Sequence, residues 1–112
     1  MGEATLQAGD VHFYFDVATF HVVRFAVEYA HSTGHGLYVQ GHGVSGFLER
    51  AWLGAELDFK LEITEPDHST PDRLTKRQED GVVEDLDAEW SHGRHAVVVV
   101  TDWPVQIVGS DE

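Results

Sequence analysis

Residues 17–32 constrain the fold most, because their composition and their periodicity disagree. The segment is dense in Val and Phe, which favour strands on propensity alone. At about 100° per residue, however, Phe20, Val23, Val27 and Ala30 fall on one side, widened by Val22 and Tyr29. His21, Arg24, Glu28 and His31 form a polar stripe opposite. Periodicity sustained over the whole segment outweighs residue preference, so the spacing predicts an amphipathic helix from Val17 to Ser32. Asp16 is placed to cap its start, and Gly34 to supply the left-handed residue that ends it. Arg24 and Glu28, at i,i+4, account for the stripe as a surface ion pair on a solvated face.

A helix of this kind needs a sheet to cover its apolar side. Val11 to Phe15 and Leu37 to Gln40 read as short strands between glycines and turn residues. Ala55 to Thr64 has the cleanest alternation, with Leu57, Phe59, Leu61 and Ile63 on one face and Glu56, Asp58, Lys60 and Glu62 on the other. His95 to Thr101 contains four consecutive valines, the mark of a strand buried on both faces. Trp103 to Val108, with Pro104 near its start, suits a sheet edge.

Gly41 to Gly46 is expected as a loop, and Ser45 as the cap of a short helix over 47–53 stopped by Gly54. A second main helix is expected from Arg73 to Trp90, started by Thr70 and Pro71 and broken near Gly81. Val82, Leu86 and Trp90 also share a face at period two, so a hairpin strand over 82–90 is the alternative. The order of elements predicts one α+β domain over residues 1–112. Its expected architecture is an antiparallel sheet with both main helices on one face, a ferredoxin-like split βαβ arrangement with an extra C-terminal edge strand. Residues 1–10 and 109–112 are expected as flexible termini.

Cysteine is absent, which removes disulfides, thiolate nucleophiles and cysteine-ligated zinc or iron–sulfur sites. No basic stretch followed by an apolar run opens the chain, and no apolar segment reaches the ~20 residues that span a bilayer. A cytoplasmic setting is the resulting expectation. The formal charge of −13 opposes direct binding to nucleic acid or to an anionic membrane. Asn is absent and Lys scarce, a usage that points to a GC-rich genome and to salt adaptation as one source of the acidity. A surface built for a basic partner is the other.

Histidine is the one abundant reactive side chain. His31, His35 and His42, near the first helix end and the next strand, are candidate ligands for a divalent transition metal, with His21 and Glu28 nearby on the helix. Against them stand the Arg24 cation, the flexible glycines around His35 and the absence of an HExxH pair. Neither Ser32 nor Ser45 sits in a nucleophile elbow, and the Gly41, Gly43, Gly46 run lacks a P-loop Lys.

Residues 79–89 carry the densest run of acids, and Glu84, Asp85 and Asp87 are candidate contacts for a partner. Trp90 and Trp103 are candidate interface anchors beside them. With no supported nucleophile and no cofactor loop, the leading expectation is a non-enzymatic protein-interaction or assembly module without a cofactor, its partner a protein and possibly another copy of itself. The alternatives are a small His-dependent metal-binding enzyme and an acidic nucleic-acid mimic or immunity-type inhibitor of a basic protein.

Overall fold

The computed structural model describes residues 2–43, 45–54, 59–69, 71, 73–101 and 105–110. In chain order the elements are β1 (Glu3–Ala8), β2 (Val11–Phe15), α1 (Val17–Ser32), β3 (Leu37–His42), β4 (Leu48–Leu53), β5 (Lys60–Glu65), α2 (Lys76–Ser91), β6 (His95–Val99) and β7 (Gln106–Ser110). The α1 bounds are those its periodicity predicts. The Thr19 N–H donates to the Asp16 carboxylate at 2.8 Å, satisfying one of the first-turn donors. Gly34, at φ +80°, takes the left-handed position just past the helix.

The chain has the expected α+β class: two helices and two sheets. One sheet has the order β2-β1-β5 and is antiparallel throughout. The other has the order β4-β3-β6-β7, with β3 and β6 parallel and the outer pairs antiparallel. The ferredoxin-like split βαβ arrangement is not confirmed, because the strands divide between two sheets instead of forming one. β1 joins β2 and β5 into a sheet of their own. Expected as part of a flexible terminus, it occupies the middle of its sheet, with Ala4 and Leu6 wholly buried. Gly109 and Ser110, expected to be flexible too, lie in β7.

Three further expectations are corrected. Residues 47–53 do not form a short helix; Leu48–Leu53 is β4, paired antiparallel with β3 around a tight turn in which the Gly46 N–H donates to the Gly43 carbonyl at 2.9 Å. The second helix neither breaks at Gly81 nor becomes a hairpin strand, because Gly81 sits on the exposed side and costs only about 1 kcal/mol relative to Ala. Its start is a capping box: the Gln78 N–H donates to Thr75 Oγ1 at 3.2 Å, and the Thr75 N–H to Gln78 Oε1 at 2.8 Å. The expected start at Thr70 falls outside the described residues, as do Leu57 and Trp103. Within β5, Leu61 is half-buried but Ile63 is exposed, so its apolar row is wetter than the alternation implies.

The core lies where α1 meets both sheets. Val23, Ala26 and Ala30 are fully buried and pack in one cluster with Leu6 and Phe13 of the first sheet and Leu37, Val39, Leu53, Ala96 and Val98 of the second. α2 covers β6 and β7 and leans on α1, and buries only Val82 and Leu86. The polar stripe of α1 is not uniformly solvated: His21 is only 7% exposed. Among the described residues, no helix is long and apolar enough to cross a membrane.

Candidate functional site

Alternation along the second sheet separates its residues into two faces. Leu37 and Val39 point at the helices, so Tyr38, Gln40 and His42 of β3 point away, and the antiparallel register puts Leu48, Arg50 and Trp52 of β4 beside them. The β6 and β7 registers add His95, Val97 and Val99, then Gln106, Val108 and Ser110. None of these outer-face residues is Asp or Glu, in a chain that has 20 of them. The described acids lie elsewhere, above all along α2.

This face is built from rings and one cation. Tyr38 and Trp52 pack at 4.8 Å between ring centroids, and His95 meets both edge-on at 5.9 and 5.5 Å. The Arg50 guanidinium lies 5.5 Å over the Tyr38 ring, a cation–π placement. Its Nε and Nη2 donate to Gln40 Oε1 at 3.1 and 2.8 Å, and its Nη1 to Ser110 Oγ at 3.2 Å. Arg50 thus spans the sheet from β4 to β7, and Val97 beneath is fully buried. Gly36 admits this packing, since a Cβ there would fall 2.5 Å from the Trp52 ring. At the margins Phe47, Leu48 and Val108 are 76%, 58% and 41% exposed. A rigid ring cluster with exposed aliphatic neighbours has the composition of an interface core.

The sequence-derived candidates fall elsewhere, and apart. His31 is half-buried on α1, its Nε2 3.4 Å from the Leu53 carbonyl and its ring 6.0 Å from Phe59. His35 stacks on Trp90 at 4.1 Å with an interplanar angle of 6°, and its Nδ1 lies 3.0 Å from Thr33 Oγ1. His42 is at the far end of β3, which runs about 3.3 Å per residue and so carries it well beyond reach of the other two. Among the described residues no three His, Asp or Glu side chains gather closely enough to hold a metal ion.

Trp90 is half-buried between His35 and Tyr29, the latter at 6.0 Å, so it locks α2 against α1. Asp87 accepts the Tyr29 hydroxyl proton at 2.9 Å, and that hydrogen bond, with burial and the Asp87 charge, holds the phenol above its ordinary pKa. Asp85 is also raised, by burial first and then by the charges of Glu84 and Glu89. Glu84 is exposed. Of the acidic trio, Asp87 is therefore occupied within the chain, and Trp103 lies outside the described residues. Sequence reasoning passed over Tyr38, Arg50, Trp52 and His95; the alternation of Leu48, Arg50 and Trp52 against Ala51 and Leu53 was the available signal.

No protein-family model, curated protein or solved structure matches the chain.

Proposed function

We propose that this chain is a non-enzymatic interaction module that docks through the outer face of its four-stranded sheet, and that the partner is a second copy of the chain. The observation that carries the reading is that, among the described residues, no carboxylate stands on that face, in a molecule of net charge −13. Two such molecules repel one another in almost every orientation. Apposing the two acid-free faces brings together Trp52, Leu48 and Val108 and keeps the acids of both α2 helices on the far sides. A basic partner would be drawn to α2 instead. Nucleic acid and anionic membranes stay disfavoured by the overall charge, and a cytoplasmic setting suits a cysteine-free chain.

Size sets the strength. Four strands about 4.8 Å apart and some six residues long, at about 3.3 Å each, give a face of roughly 19 by 20 Å. That is smaller than the ~800 Å² per partner of a standard stable interface, so the expected state is a micromolar monomer–dimer equilibrium. Sedimentation velocity over a concentration series tests this. The dimer fraction should rise with protein concentration and with salt, which screens the mutual repulsion. Leu48→Glu with Val108→Glu should abolish it while leaving the fold intact by circular dichroism. A parent chain that stays monomeric at hundreds of micromolar in high salt, or a dimer that survives both substitutions, refutes the reading.

A further inference from the structure

The α1 stripe that the sequence assigns to a solvated face lies along a groove. Its opposite wall includes Ser69, Pro71, Arg73 and Leu74, and two adjoining cavities of about 280 and 480 Å³ share His21, Arg73 and Leu74 as lining. The larger adds Arg24, Phe25 and Glu28 from α1 and Glu79 from the first turn of α2. His21, Arg24, Phe25 and Glu28 sit at i, i+3, i+4 and i+7 and so form one continuous floor. The volumes are of the order that small-molecule sites occupy.

The lining is unusual for its charge content. The chain has only 7 Lys and Arg, and two of them, Arg24 and Arg73, face this one groove with two carboxylates, Glu28 and Glu79. Arg24 Nε is buried and has no hydrogen-bond partner among the described residues, although Arg24 Nη1 lies 3.5 Å from Glu28 Oε1. A buried guanidinium donor left unmet is costly, and an oxyanion supplied from outside would satisfy it. Glu28 and Glu79 limit what that oxyanion can be: they repel a polyanion but accept from an ammonium group. Phe25 and Leu74 offer apolar surface between the charged walls.

We infer that this groove binds a small zwitterion of the amino-acid class, its carboxylate held by Arg24 and Arg73, its ammonium group by Glu28 and Glu79, and its carbon chain against Phe25 and Leu74. The Arg24–Glu28 pair fits that class, because an α-amino acid carries its ammonium and carboxylate groups on one and the same carbon and can bridge both partners at once. The site is separate from the outer sheet face and does not depend on the dimer.

The test is amide chemical-shift titration of the full-length labelled chain with L-leucine, and in parallel with acetate and with isobutylamine, each of which presents one charge only. Leucine should give saturable shifts on α1 and on the first turn of α2, and should bind about tenfold or more tightly than either single-charge probe. Arg73→Gln, and separately Arg24→Gln, should weaken leucine by about the same factor, whereas Lys60→Gln on β5 should leave it unchanged; the spectra themselves report whether each variant is folded. The inference is overturned if leucine gives no saturable shifts, if acetate or isobutylamine binds as well as leucine, or if both Arg variants, still folded, bind it like the parent.

Discussion

Replacing Leu86 with Ala tests whether α2 is held as described. Leu86 is fully buried and Val82 is the only other buried residue of that helix, so α2 is attached through these two and the half-buried Trp90. Truncation removes three carbon atoms at about 0.8 kcal/mol each and leaves a cavity under a helix capped at its start, which gives a loss of about 3 kcal/mol, inside the usual range of ~2–5 for this change. Unfolding entropy near ~2.1 cal/mol/K per residue over 112 residues amounts to about 0.24 kcal/mol/K, so Tm should fall by about 13 °C. Differential scanning calorimetry reads this directly, and a urea titration should show the same loss at an unchanged m-value. A drop below about 4 °C would mean that Leu86 is not enclosed between α2 and the sheet, and the packing of this helix would have to be redrawn.

Asp16→Ala removes the carboxylate that accepts from the Thr19 N–H and should cost about 1 kcal/mol, or about 4 °C in Tm; no measurable shift would remove Asp16 from the start of α1. Asp85 has its pKa raised by burial and by Glu84 and Glu89, so its ionised form is disfavoured in the folded chain. That cost is absent at a pH low enough for Asp85 to be protonated both folded and unfolded, and it appears as pH rises through the raised folded value. Asp85→Asn should therefore be more stable than the parent at pH 7, with the difference closing at about pH 3. Equal stabilities at pH 7 by chemical denaturation would contradict the assignment.

The parts of the fold that were legible are those where one period dominates. Phe20, Val23, Val27 and Ala30 repeat only at helical spacing, and α1 was placed to the residue. Residues 47–53 are ambiguous: Phe47 with Ala51 and Leu48 with Trp52 satisfy i,i+4, while Leu48, Arg50 and Trp52 satisfy i,i+2. Pairing with β3 decided the matter, and single-segment patterns hold no information about pairing. β1 carries little apolar signal because its buried residues include Ala4 and Thr5, which lie in the middle of a sheet. The α2 capping box at Thr75 and Gln78 was present as a T-x-x-Q pattern, but Thr70 and Pro71 supplied an earlier start signal.

The candidate interface was hidden for the same reason as β4. Tyr38, Trp52 and His95 are far apart in sequence, and only the β4-β3-β6 order assembles their rings. Trp90, expected as an interface anchor, has its ring contacts with His35 and Tyr29 of its own chain.

The strand pairings also bear on how quickly the molecule can assemble. Leu6 meets Leu61 and Tyr38 meets Val97, separations of 55 and 59 positions by residue number, whereas β1–β2, β3–β4 and β6–β7 are joined by short connections. Closing a long loop costs chain entropy before its contacts return any, and such topologies fold in milliseconds to seconds, not microseconds. The three hairpins can form early and alone, but each sheet is completed only when a distant segment arrives. Until then β1 and β3 present unpaired backbone, and the interval before those two closures is when a nascent chain of this kind is most open to mispairing with its neighbours.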